Sequence, residues 1–130
     1  MASYTTTNYN PRTALRVSNV ITNKVLIATN QNLVAGNVLG IVTASGKAII
    51  SLAGASDGSQ VPFGVVLTPI NTTSTGYNAD TPSEIMVSGS VDYASLLPNV
   101  SWTEDTLRLA FKPQGIHVIN SALSTTQGVI

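Results

Sequence analysis

Charge is scarce in this sequence. Six Lys or Arg and six Asp or Glu among 130 residues leave 9% of the chain charged, with a formal net charge of zero. An average soluble domain carries about 25%. Ser, Thr, Asn and Gln, 45 residues together, supply the polar surface instead, and they favour strands and turns over charged helices. The expected fold is therefore mainly β. Hydrophobic residues make up 43%, too many for a chain whose low hydrophobicity would keep it unfolded. At this length the chain is one domain.

The same figures exclude several functions. A neutral chain has no field to draw nucleic acid or anionic lipid. Cysteine is absent, so neither a disulfide framework nor a thiolate site exists. No apolar run approaches the ~20 residues needed to cross a bilayer, and the start, MASYTTTNYNPRTALRV, lacks the basic cluster and apolar run of a signal peptide. A surface with so little charge also does little to keep copies apart, which suits life in an assembly.

Along the chain, residues 1 to about 13 are polar and aperiodic and end in Asn10-Pro11, which predicts a flexible arm. From Ala14 to Ala28 β-branched residues dominate, interrupted by Asn19 and Asn23, which predicts strands with short turns. Such a segment can pair inside its own domain or add to a partner's sheet edge. We place the boundary at residue 20: an arm over 1–20 and a single β-rich domain over 21–130. Val38–Thr43 and Lys47–Ala53 flank Ala44-Ser45-Gly46, a hairpin whose Gly46 can take the left-handed conformation. Val61–Ile70 reads as a strand that Pro62 and Pro69 confine to an edge or to strand ends. Residues 71–82 read as a polar loop and Ile85–Val91 as a strand in which Gly89 suggests a bulge or a close backbone approach. One helix is expected, capped by Ser101 with Glu104 three residues on, presenting Leu107, Ala110 and Phe111 to the core and stopping near Phe111 before Pro113. The strand Ile116–Ile119 should follow it.

Chemistry finds little purchase. His117 is the lone histidine and lies in a strand, where a structural or interface role outweighs catalysis. Asp57, Asp80, Glu84, Asp92, Glu104 and Asp105 are all the acids; a pair such as Glu84 with Asp92 is the one route to hydrolysis that the sequence leaves open. No zinc, calcium or phosphate-loop pattern occurs. No catalytic residue, metal or cofactor is expected. The seven aromatics are scattered without interleaved basic residues, against a base-stacking platform.

Taken in order, Ala35-Gly36-Asn37-Val38-Leu39-Gly40, Ser45-Gly46-Lys47, Ala55-Ser56-Asp57-Gly58-Ser59, Val61-Pro62-Phe63-Gly64-Val65-Val66, Val87-Ser88-Gly89-Ser90-Val91 and Leu107-Arg108 through Gln114-Gly115-Ile116-His117-Val118 resemble the lambda-type phage head decoration proteins over about residues 33 to 120. The resemblance implies a small β-clip-like fold with one or two short helices and no catalysis. It further implies homotrimers on the outer surface of the expanded capsid, at local three-fold positions, cementing the major capsid protein. The protein would be made in the host bacterial cytoplasm and reside in the virion, without nucleic acid, membrane or small-molecule substrate as partner. Family arms order on the shell by strand addition. By position and physics, not by any matching motif, Thr5, Thr6, Thr7, Tyr9, Leu15 and Val17 are the expected capsid-binding residues here. A phage fibre or carbohydrate-binding β-module is the alternative reading.

Overall fold

The computed structural model describes residues 17–120. Eight strands run in chain order as β1 (Val17–Ile27), β2 (Asn32–Leu33), β3 (Val38–Ile41), β4 (Ala48–Ile50), β5 (Pro62–Val66), β6 (Ile70–Asn71), β7 (Thr81–Asp92) and β8 (Ile116–Ile119). One α-helix, α1 (Glu104–Phe111), and short 3-10 turns at Tyr93–Ser95 and Lys112–Gln114 lie between β7 and β8. The domain is mainly β with one short helix, as composition predicts.

Six strands form one sheet in the order β1-β4-β3-β5-β7-β8, and β1 also pairs with β7, so the first five close into a circuit. β2 and β6 form a separate two-stranded ribbon. The centre of the sheet is covered on both faces. Neighbouring residues Val38 and Leu39, Val65 and Val66, and Met86 and Ile85 divide between two buried clusters, because successive side chains in a strand point to opposite faces. One cluster gathers Leu96, Trp102, Leu107, Phe111, Ile116 and Val118 beneath α1; the other holds Ile27, Leu33 and Ala48. Burial on both sides makes these strands continuous apolar runs instead of alternating patterns.

The predicted hairpin is present: β3 pairs antiparallel with β4 in the register Leu39↔Ile50 and Ile41↔Ala48. Gly46, at φ +72°, closes the loop by donating its N–H to the Val42 carbonyl at 2.8 Å. The Val61–Ile70 strand is corrected. It splits at Pro69 into β5 and β6, and β5 lies inside the sheet between β3 and β7. Pro62 is tolerated because it is the first residue of β5.

The helix cap is also corrected. Thr103 is the N-cap, and a capping box joins it to Thr106: Thr103 Oγ1 accepts from the Thr106 N–H at 3.3 Å and Thr106 Oγ1 from the Thr103 N–H at 3.0 Å. Ser101 is engaged elsewhere, accepting from the Ala53 N–H at 2.9 Å, while the buried Trp102 ring donates Nε1–H to the Ser51 carbonyl at 3.1 Å. These two bonds tie residues 101–102 to 51–53, so the helix begins two residues later than Ser101 as cap would imply. Its end at Phe111 and the strand that follows agree with expectation.

Between Ala14 and Ala28 the expectation was several strands with turns. From Val17 onward the structure has one strand of 11 residues, β1, paired antiparallel with β7 from Val17↔Val91 to Ile27↔Thr81. Asn19 does not end it. At φ +54° it makes an irregularity in the register. Opposite lies Gly89, at φ +131°, where a Cβ would sit 2.8 Å from the carbonyl oxygens of Ser18 and Asn19. Of the two readings of Gly89, the close approach of two backbones is the one present.

Candidate functional site

Of the expected capsid-binding residues, Thr5, Thr6, Thr7, Tyr9 and Leu15 lie outside the described residues. Val17 opens β1 opposite Val91, and Val17 and Val20 pack against the cluster beneath α1. Positions 17–20, assigned to the arm, thus lie in a strand of the subunit's own sheet.

β1 is otherwise unlike its neighbours. One edge is taken by β7 along its length, whereas on the other only Ile27 pairs, with Ala48 of β4. From Val17 to Leu26 that outer edge carries no strand among the described residues. Ile21 is 59% exposed and Leu26 39%. Thr22 Oγ1–H donates to Glu84 Oε1 at 3.3 Å, and Lys24 lies opposite Glu84 in the register. An open edge of this kind presents unpaired N–H and C=O groups that accept an added strand.

A second exposed feature lies where three loops meet. Leu97 donates its N–H to the Gly36 carbonyl at 2.9 Å and accepts at its own carbonyl from Asn37 Nδ2 at 3.1 Å. The Ser101 and Trp102 bonds tie the same loop to 51–53. Val34, Leu52, Leu97 and Val100 are exposed on this surface, Val100 almost fully. The segments that build it, 33–37, 51–55 and 96–101, contain no charged residue. Exposed apolar side chains on uncharged loops are what an interaction surface is built from. Sequence reasoning missed it, although the chargeless stretches 25–46, 48–56 and 93–103 were a signal for it.

The acids do not converge. Asp57 accepts from the Ser59 hydroxyl at 2.5 Å and its N–H at 3.0 Å, which hold the carboxyl below its usual value. Asp80 is also held low, first by Lys47 Nζ at 2.6 Å and then by the Thr29 hydroxyl and N–H at 2.8 and 2.9 Å. Asp92 caps the 3-10 turn by accepting from the Ala94 N–H at 3.2 Å. Glu104 and Asp105 both pair with Arg108. Glu84 and Asp92 stand eight residues apart on β7, about 26 Å at ~3.3 Å per residue, beyond the roughly 5–9.5 Å of a hydrolytic pair. Among the described residues no group of three or more His, Asp or Glu could hold a metal. Of the described aromatics only Tyr77 is exposed, and His117 faces outward from β8.

An open strand edge and a neutral apolar patch on a small β domain, with each acid engaged by its own scaffold, define a module that works through protein contacts. Comparison with known families says which. The family model for bacteriophage lambda head decoration protein D matches residues 5–117, so the chain belongs to that family. Membership carries a structural role in decorating the phage head, the phage capsid as partner and the virion as location. It also suggests a protein without catalysis. A search of curated proteins finds no match. The matched span begins at residue 5, well ahead of the motifs quoted from residue 33 on, so the segment preceding β1 is shared with the family.

Proposed function

We propose that this protein, made in the host bacterial cytoplasm, binds the outer surface of the expanded capsid as a trimer at local three-fold sites and cements neighbouring capsomers. The observation that carries this reading is the open outer edge of β1 from Val17 to Leu26, continuous with an N-terminal segment inside the family match. Residues 2–16, with Thr5, Thr6, Thr7, Tyr9 and Leu15, extend the line of β1 and add to a capsid strand. Three such attachments in one trimer combine weak contacts through high effective concentration. Preference for the expanded shell stabilises that state by mass action. The neutral patch of Val34, Leu52, Leu97 and Val100 supports a contact between subunits, since a three-fold ring needs surface that packs on another copy without burying unpaired charge.

Negative-stain imaging and co-sedimentation with expanded and unexpanded shells test the reading. Full-length protein should decorate expanded shells alone, and a chain lacking residues 2–16 should stay folded and fail to decorate. Decoration by the truncated chain would remove the arm from the mechanism. This deletion spares β1, whose Val17 and Val20 pack on the core.

A further inference from the structure

The sheet has a second open edge at β8. One side of Ile116–Ile119 pairs in parallel with β7, and no strand lies along the other among the described residues. The Val118 carbonyl points to that free side, where it accepts from Arg108 Nε–H at 3.2 Å, whereas the Gly115 carbonyl accepts from the Gly89 N–H on the β7 side. Beside the free edge is a hollow of about 230 Å³ lined by Arg108, Lys112, Ile116, His117, Val118 and Ile119. Ile119 is 49% exposed at its end. An open edge next to an apolar hollow is a seat for an extended segment: backbone groups give attachment and the hollow receives side chains.

We infer that the occupant is the chain's own residues 121–130. Asn120 Nδ2 donates to Glu104 Oε1 at 3.1 Å, so the chain leaves β8 pinned at the first residue of α1. α1 and β8 run in opposite directions, with Asn120 beside Glu104 and Val118 beside Arg108, and the hollow extends from there toward Lys112. Ten residues follow Asn120. A loop of about five leaves enough chain to run back along a four-residue strand, carrying Gly128-Val129-Ile130 toward the Lys112 end. The segment SALSTTQGVI contains no charge and offers Leu123, Val129 and Ile130 as apolar anchors. It brings no cation to repel Arg108 and Lys112. Tethering one residue from the groove makes even weak docking effective. Residues 121–130 lie beyond the span 5–117 on which family membership rests, so the docking argued for them does not depend on it.

Amide hydrogen exchange on the full-length protein tests it. The Val118 N–H, on the free edge, should exchange about tenfold faster when the full chain carries Leu123→Asp and Val129→Asp, while the Val65 and Met86 amides keep their rates. Equal Val118 exchange in the two proteins overturns the proposal. So does Val118 protection that vanishes on dilution, which would assign the groove to a second copy. Faster exchange at Val65 and Met86 as well, from general loosening of the fold, would count against it too.

Discussion

β3 and β1 show what separates a strand enclosed on all sides from one that leaves an edge free. β3 has a strand on each edge and a buried cluster on each face; Val38 and Leu39 are fully buried in opposite directions. β1 is nearly three times as long, yet of its 11 residues only Ile27 is buried, and its outer edge is open over ten positions. Length and β-propensity are therefore poor guides to what holds this molecule together. β3 is secured by burial, whereas β1 is secured by register with β7 and by the backbone approach at Gly89.

That contrast can be broken at several points. Phe111→Ala should cost the most, about 3–5 kcal/mol, since it empties the cluster beneath α1; denaturant melts would show it. Gly89→Ala should cost roughly 1–3 kcal/mol, because a left-handed backbone and a Cβ 2.8 Å from two β1 carbonyls must both be accommodated. Its damage should fall on β1, with amide exchange there accelerating before that in β3. Thr103→Ala should cost about 1 kcal/mol as loss of the true helix cap. On the open edge, Ile21→Ser should change the melt by no more than ~0.5 kcal/mol, while weakening decoration of expanded shells.

The smallest effect concerns Asp80, which joins Lys47 to Thr29 at the foot of β1. A carboxyl held below its ordinary value stabilises the fold above that value, and the contribution is lost as pH falls through the lowered one. Acid melts below about pH 4 should lose stability less steeply in Asp80→Asn than in the parent, from a lower starting point.

What the sequence disclosed tracks how local each signal is. The Ala44-Ser45-Gly46 loop, the end of α1 before Pro113 and the strand after Gly115 depend on a few adjacent residues and are where the sequence puts them. The cap was misplaced because Ser101 satisfies the cap pattern locally but is claimed by Ala53, 48 positions away. The prolines left Val61–Ile70 either at an edge or with its prolines at strand ends; the second holds, Pro62 being the first residue of β5, and which of the two applies is set by distant β3 and β7. The candidate site was least visible. That β1 has an open edge follows from which strands β3 and β7 choose as neighbours, which no single stretch records; the neutral patch is assembled from loops such as those of Asn37 and Leu97, 60 residues apart, and its chargeless stretches point to it only when taken together.

Backbone exchange along β1, in the free protein and on expanded shells, tests the central claim most directly. Outer-edge amides between Val17 and Leu26 should exchange fast in solution and become protected on the shell, while β3 stays slow in both. Attachment that leaves those β1 amides as fast as before would contradict the account.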